Sequence, residues 1–118
     1  MPNYLLLLHE KPSDFSGLSP DAIQAVIAEY VAWSQKIAGQ GKLVGGQKLK
    51  DEGGKHLKNG VGGEFRATDG PFAEAKEVIG GIFTIDADSY DEAVEVSKDC
   101  PHLKYGGWIE VREVEPTH

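Results

Sequence analysis

The chain has 118 residues, which favours a single domain over residues 1–118 with enough apolar side chains to form a core. Its 12 Lys and Arg residues against 19 Asp and Glu residues give a formal net charge of −7. Such an acidic chain argues against binding to nucleic acid or to an anionic membrane surface, because both attract basic residues.

The first half of the chain predicts a strand, a helix and a second strand. Residues 4–8 form a short, wholly apolar run that predicts a strand covered on both faces; it is too short for a signal peptide or a membrane span. Ser19 and Pro20 mark a helix start, and apolar residues then recur every three or four positions, including Tyr30 and Trp33, which predicts a helix over 20–38. Residues 43–49 follow as a strand.

The second half predicts a hairpin, a strand, a second helix and a last strand. A polar segment with Asn59-Gly60, a strong hairpin signal, predicts short strands at 55–58 and 63–68. Residues 78–85 form an apolar strand, Ser89 begins a helix over 90–99, and residues 107–114 alternate as a strand. Glycine pairs within these strands predict bulges or close backbone approach.

The order of elements predicts an α+β fold of the ferredoxin-like βαββαβ type with an inserted β-hairpin. Two helices cover only one face of such a sheet, yet residues 5–8 and 79–85 are apolar on both faces. An exposed apolar face of that size is unfavourable. We therefore expect a second copy to cover it, so that two chains pair as a homodimer in a dimeric α/β barrel.

The stretch 68–77, with the sequence TDGPFAEAKE, is the most unusual part of the chain. Its Asp-Gly-Pro segment predicts a tight turn, and such constrained loops often carry functional groups. Asp69 can act as a general base or ligand anchor, or it can cap its own turn. The predicted ligand contacts of this stretch are Phe72, Glu74 and Lys76, although the last two can equally form a solvated ion pair.

Three further residues are candidates for a site. His9 shares a strand face with Leu5 and Leu7, so it is predicted to line a pocket as an acid or base, or else to be a hydrogen-bonded residue at a strand end. His102 is a candidate at the pocket rim. Arg112 suits a carboxylate or phosphate, or it pairs with Glu110 on the surface.

Cysteine and metal chemistry are not expected. The one cysteine, Cys100, excludes an intramolecular disulfide and favours a reducing cytoplasm. It precedes a proline at a helix C-terminus, where the helix dipole disfavours a thiolate. The four histidines lack the spacing of metal ligands, and no nucleotide-binding glycine motif is present. We therefore expect neither a metal nor a cofactor.

These motifs together resemble the YCII-related, or DGPF, domain proteins nearly from end to end. The matching segments are 4–8, 41–46, 68–77, 80–83, 100–101, 105–106 and 109–112. The resemblance implies a ferredoxin-like domain that pairs as a dimeric barrel, and an association with sigma-70-like transcription factors. A His–Asp pair proposed for a distant branch falls here at Glu29 and Cys100, so it is not carried over.

The sequence thus favours a cytoplasmic homodimer that binds a small ligand in a pocket between the two sheets, near residues 69–72. Cofactor-free acid–base catalysis in this pocket is one expectation, with His9 and Asp69 as the catalytic candidates. The alternative is a non-enzymatic regulatory or sensor module that works with an extracytoplasmic-function sigma factor. A third reading, a metal-free oxygenase on the same fold, rests on analogy.

Overall fold

A computed structural model of the chain describes residues 2–15, 17–50, 54–69 and 77–116, without the side chains at 12, 13, 66, 68 and 69. The main elements are β1 (Asn3–Glu10), α1 (Pro20–Gly39), β2 (Leu43–Lys48), β3 (Lys55–Asn59), β4 (Phe65–Asp69), β5 (Val78–Asp86), α2 (Tyr90–Lys98) and β6 (Trp108–Glu113). Short 3-10 helices lie at Pro12–Phe15, Val61–Gly63 and Pro101–Tyr105. Within the described residues, no helix is both long and apolar enough to cross a membrane.

Four strands form one antiparallel sheet in the order β2-β5-β1-β6, and β3 pairs with β4 in a separate two-stranded sheet. This order, with α1 after β1 and α2 after β5, is the ferredoxin-like arrangement predicted from the sequence. The hairpin is inserted between β2 and β5, also as predicted. The α+β class and its topology are therefore confirmed, whereas pairing into a dimeric barrel stays a prediction.

Both helices begin where the sequence places their caps. The Ser19 hydroxyl accepts a hydrogen bond from the backbone N–H of Ala22 at 3.1 Å, and the Ser89 hydroxyl accepts one from Glu92 at 3.2 Å. These bonds satisfy backbone donors that the first helical turn leaves without partners. The strands differ from the prediction mainly at their ends: β1 runs on through His9 to Glu10, which places both residues inside the sheet.

The hairpin loop differs from its prediction. Strands at 55–58 and 63–68 were predicted with the chain reversal signalled by Asn59-Gly60, but Gly60 is extended, with φ −92° and ψ −178°. The chain instead turns at Gly62 and Gly63, whose φ angles of +79° and +82° suit glycine. The second glycine pair therefore supplies the reversal, and the second strand begins two residues later than predicted, at Phe65.

The core lies between the helices and one face of the four-stranded sheet. Its buried residues are Tyr4, Leu6, Leu8, Trp33, Ile37, Ile85, Ala87, Ala93, Val96 and Cys100. The side chains of β1 alternate, so that Leu6 and Leu8 face the core while Leu5, Leu7 and His9 face the other way. We call that second side of the sheet the open face; it is defined by Leu5, Leu7, His9, Ile82, Thr84, Trp108, Glu110 and Arg112.

The predicted bulges and close approaches occur at the glycine pairs. The pairing of β1 with β5 shifts between Leu8 and His9, so Gly80 is an extra residue in β5. A Cβ atom at Gly80 would lie 1.8 Å from the Glu10 carboxylate, and one at Gly107 would lie 2.2 Å from Nε2 of His102. Each glycine therefore makes room for a buried polar side chain on the helix-covered side of the sheet.

Candidate functional site

A cavity of about 680 Å³ opens between α1 and the helix-covered face of the sheet. We call it the α1 cavity. One wall consists of apolar α1 residues that are partly exposed, namely Ile23, Ile27 and Val31. The polar residues of the lining are Glu10, Tyr30, Ser34, Gln47, Lys48 and His102. A mostly apolar cleft with a few converging polar groups is typical of a small-molecule site, and its volume falls in the usual range of about 300–1,000 Å³.

His102 is the most buried polar residue of the cavity, with 1% of its surface exposed. Its Nδ1 lies 2.8 Å from the Tyr30 hydroxyl, and its Nε2 lies 2.7 Å from the backbone carbonyl of His9. Because a carbonyl oxygen only accepts hydrogen bonds, Nε2 carries the proton of the neutral ring. Nδ1 is then the acceptor, and Tyr30 donates to it.

Burial sets the charge states of both partners. Desolvation lowers the pKa of His102 below 6.5, and the charges of His9 and Lys48 add to the effect, although the bond to the His9 carbonyl and the charge of Asp14 oppose it. Burial also raises the pKa of Tyr30, and the nearby Cys100 and Glu10, when ionised, act in the same direction. A neutral imidazole and a neutral phenol therefore face each other at neutral pH.

Glu10 is a second buried group in the same cavity, with 5% of its surface exposed. Its carboxylate occupies the space beside the bulge at Gly80, where any side chain would collide with it. Since the charge of Glu10 influences the pKa of Tyr30, the carboxylate and the tyrosine are electrostatically coupled. The cavity thus combines a carboxylate with a tyrosine–histidine pair.

The segment that carries His102 is tied to α1 by a small ionic cluster. The Glu29 carboxylate accepts hydrogen bonds from Lys104 Nζ and from the Tyr105 hydroxyl, each at 2.8 Å. These bonds lower the pKa of Glu29. These bonds join α1, where Glu29 precedes Tyr30, to the segment in which Lys104 and Tyr105 follow His102. The two segments that carry the tyrosine–histidine pair are thereby held together.

The structure separates the predicted site residues. His9 lies on the open face, as its alternation with Leu5 and Leu7 predicts, and its Nε2 is 2.9 Å from Glu110. Its ring stacks on Trp108 with 3.9 Å between ring centres and 6° between planes. Arg112 lies on the same face, 3.8 Å from the second Glu110 oxygen, which agrees with the surface-pair alternative.

One predicted placement differs in the structure. His102 was expected at a pocket rim but is buried at the cavity wall, because Gly107 lets its ring pack against the backbone. Tyr30 packs against the core beside Trp33, as its helical spacing predicts, and its hydroxyl in addition bonds His102. Glu10 was not predicted as a site residue, although the alternation of β1 puts it on the face of Leu6 and Leu8.

The remaining candidates lie wholly or partly outside the described residues. Asp69 is the last residue of β4 and pairs with Lys55 through the backbone, but its side chain is not described. Residues 70–76, which include Phe72, Glu74 and Lys76 and most of the predicted Asp-Gly-Pro turn, lie outside the described ranges, so the roles of these residues stay predictions.

Cys100 is buried, and desolvation raises its pKa to about 11. The low reactivity expected of the Cys100 thiol therefore comes mainly from burial. The sequence had suggested the helix dipole as its cause. Among the described residues, no three His, Cys, Asp or Glu side chains are grouped as metal ligands.

The fold and cavity describe a small α+β protein of the ferredoxin-like type with a ligand-sized cleft under its first helix. A family model, the YCII-related domain, matches residues 3–118, and the chain belongs to this family. An uncharacterized protein from Rhizobium meliloti (strain 1021) is 31% identical over 110 residues, which cover 92% of this chain and 89% of that protein.

Among solved structures, the chain is similar to a 5-chloro-2-hydroxyhydroquinone dehydrochlorinase from Burkholderia phenoliruptrix in complex with 2,5-dihydroxybenzoquinone. The identity is 20% and the TM-score is 0.46, over 94% of this chain and 93% of that one. A likeness of this degree carries no argument about the activity of this chain.

Proposed function

We propose that this protein binds a small organic molecule in the α1 cavity and acts on it by acid–base chemistry. The observation that carries the proposal is the cavity of about 680 Å³, whose apolar α1 wall faces two buried ionisable groups, Glu10 and His102. Of these two groups, His102 has a pKa lowered by burial, and a buried ionisable group with a shifted pKa in a cleft is a common mark of a functional site. The proposal requires no metal or cofactor.

The site of this proposal differs from the one expected from the sequence. The expected pocket lay between the sheets of two copies, near residues 69–72, whereas the α1 cavity lies on the helix-covered side of a single sheet. The regulatory alternative, a module associated with a sigma-70-like factor, has no specific observation in its favour within the described residues.

Binding can be tested with small ring compounds by following the backbone amide signals in NMR spectra. We expect at least one of phenol, anisole (methoxybenzene) and benzoate to shift the amides of residues that line the α1 cavity. A Val31→Trp variant should weaken this binding by about tenfold or more, because Val31 is in the cavity wall. A bulky ring there occupies the space of the ligand.

The matched control is Val94→Trp, a change of the same kind at a partly exposed position of α2 that does not line the cavity. It should leave the binding unchanged. The proposal is wrong if none of the three probes shifts the cavity amides, or if Val31→Trp and Val94→Trp have equal effects.

We also propose that two copies pair through the open face. Leu5, Leu7 and Ile82 are only partly buried within one chain although they are large and apolar, and a symmetric partner would cover them. Sedimentation at micromolar concentration should then give twice the 12.8 kDa mass of one chain. A Leu7→Lys variant should sediment as a monomer, while Val94→Lys on α2 should remain paired. A wild-type mass of 12.8 kDa would contradict the pairing.

A further inference from the structure

The hydrogen-bond pattern around His102 determines what kind of group the α1 cavity can receive. Nε2 donates to the His9 carbonyl, so Nδ1 must accept, and the only proton of the Tyr30 hydroxyl is directed to Nδ1. The Tyr30 oxygen still has acceptor capacity, but it has no second proton to offer a ligand. Towards the cavity, Tyr30 is therefore an acceptor.

The charged groups of the lining point to a neutral ligand. Glu10 adds a carboxyl group to the lining, and in its ionised form this group accepts hydrogen bonds and disfavours an anion nearby. Lys48 carries the opposite charge in the same lining. Glu10 and Lys48 are both engaged in contacts within the protein. The described lining therefore has no excess of positive charge that would attract a ligand carboxylate or phosphate.

We infer that the α1 cavity takes a neutral ligand that donates a hydrogen bond, such as an alcohol or phenol, and that the Tyr30 oxygen receives it. This inference rests on the proposed ligand-binding function and names its substrate class. His102 is the positioning residue, since it fixes the direction of the Tyr30 proton. If the ligand is deprotonated, its proton passes to Tyr30 while the Tyr30 proton passes to Nδ1, which leaves an oxyanion on the ligand and an imidazolium at His102.

The apolar wall explains why the rest of the ligand is expected to be a hydrocarbon ring or chain. Ile23, Ile27 and Val31 are between 39% and 48% exposed, although they are large apolar residues. A ligand that covers them removes apolar surface from water, at roughly 25 cal/mol per Å². The hydroxyl at Tyr30 then sets the orientation, while the ring supplies most of the affinity.

Phenol and anisole separate these contributions, because they share a ring and differ in whether the oxygen carries a proton. Phenol should bind the wild type roughly 3- to 10-fold more tightly than anisole, which corresponds to one hydrogen bond. Benzoate should bind more weakly than phenol. In Tyr30→Phe, phenol and anisole should bind equally, with the affinity for anisole nearly unchanged.

Tyr90→Phe is the matched control, since the Tyr90 hydroxyl accepts a hydrogen bond from the backbone N–H of Glu113 and does not line the α1 cavity. It should keep the preference for phenol. The preference should also hold at pH 7 and disappear in acid, below the pKa of His102, because an imidazolium donates from Nδ1 and turns the Tyr30 proton towards the ligand. A merely structural role of Tyr30 would not produce this dependence on pH.

The outcomes separate the two proposals. Equal binding of phenol and anisole by the wild type, or tighter binding of benzoate, would overturn the inference while leaving the cavity as a binding site. Failure of all three probes to bind would overturn the proposed function itself. If Tyr30→Phe does not fold, the affinities of the wild-type protein for phenol and anisole, measured at neutral and at acid pH, still test the inference.

Discussion

Gly107→Ala should lower the free energy of unfolding by about 2 to 4 kcal/mol. A Cβ atom there would lie 2.2 Å from Nε2 and 2.5 Å from Cδ2 of His102, far inside contact distance. The ring is buried and holds two hydrogen bonds, to Tyr30 and to the His9 carbonyl. It cannot move without losing them, so the substitution adds both overpacking and unsatisfied polar atoms. Urea unfolding followed by circular dichroism measures the loss.

Gly45→Ala is the control for this result. No atom lies within 4 Å of a Cβ built at Gly45, and its φ is not in the left-handed region. Alanine there should be neutral or stabilising by up to about 1 kcal/mol. A double mutant tests whether the clash with the His102 ring is the cause. In a His102→Ala background, Gly107→Ala should lower the free energy of unfolding by much less. An unchanged cost in that background would show that the ring is not the cause.

Ile37→Ala should cost about 3 kcal/mol, within the range of buried isoleucine truncations. Ile37 is 2% exposed and belongs to the core cluster beside Trp33. The loss combines the removal of buried apolar atoms with the cavity that remains, because the surrounding sheet and helix relax only partly. The free energy of unfolding from urea titration is again the measurement.

The control lies in the same helix. Ile27→Ala has the same change in helix propensity, but Ile27 is 48% exposed, so we expect a cost of about 1 kcal/mol or less. Because both substitutions change isoleucine to alanine in the same helix, the difference between their effects on the free energy of unfolding reports the difference in burial. Equal losses at Ile27 and Ile37 would contradict the placement of α1 relative to the core.

Much of the fold could be predicted because local signals agreed with each other. Ser19 and Ser89 mark the starts of both helices, and the periodicity of the strands gives the ferredoxin-like order. The glycine pairs predicted close approach, and the structure shows it at Gly80 and Gly107. The position of the hairpin turn was missed because Asn59-Gly60 is a strong turn signal that competes with the glycine pair after it.

The α1 cavity could not be predicted in the same way, because its residues come from distant parts of the chain. Tyr30 and His102 are 72 positions apart, and His102 and the His9 carbonyl are 93 apart. Periodicity assigns Tyr30 to the buried side of a helix, but it does not show that the hydroxyl at the end of the ring reaches a histidine. Glu10 had a local signal, because the alternation of β1 places it on the same face as Leu6 and Leu8.

His9 is connected to both sides of the sheet. Its carbonyl accepts the bond from His102 under α1, while its ring bonds Glu110 and stacks on Trp108 on the opposite side. If two copies cover the open face, a ligand that alters the His102 bond also alters the contact surface between them. Occupancy and pairing then share a coupling free energy, and such coupling is reciprocal. The two cavities of a pair would communicate through a single peptide unit in each chain.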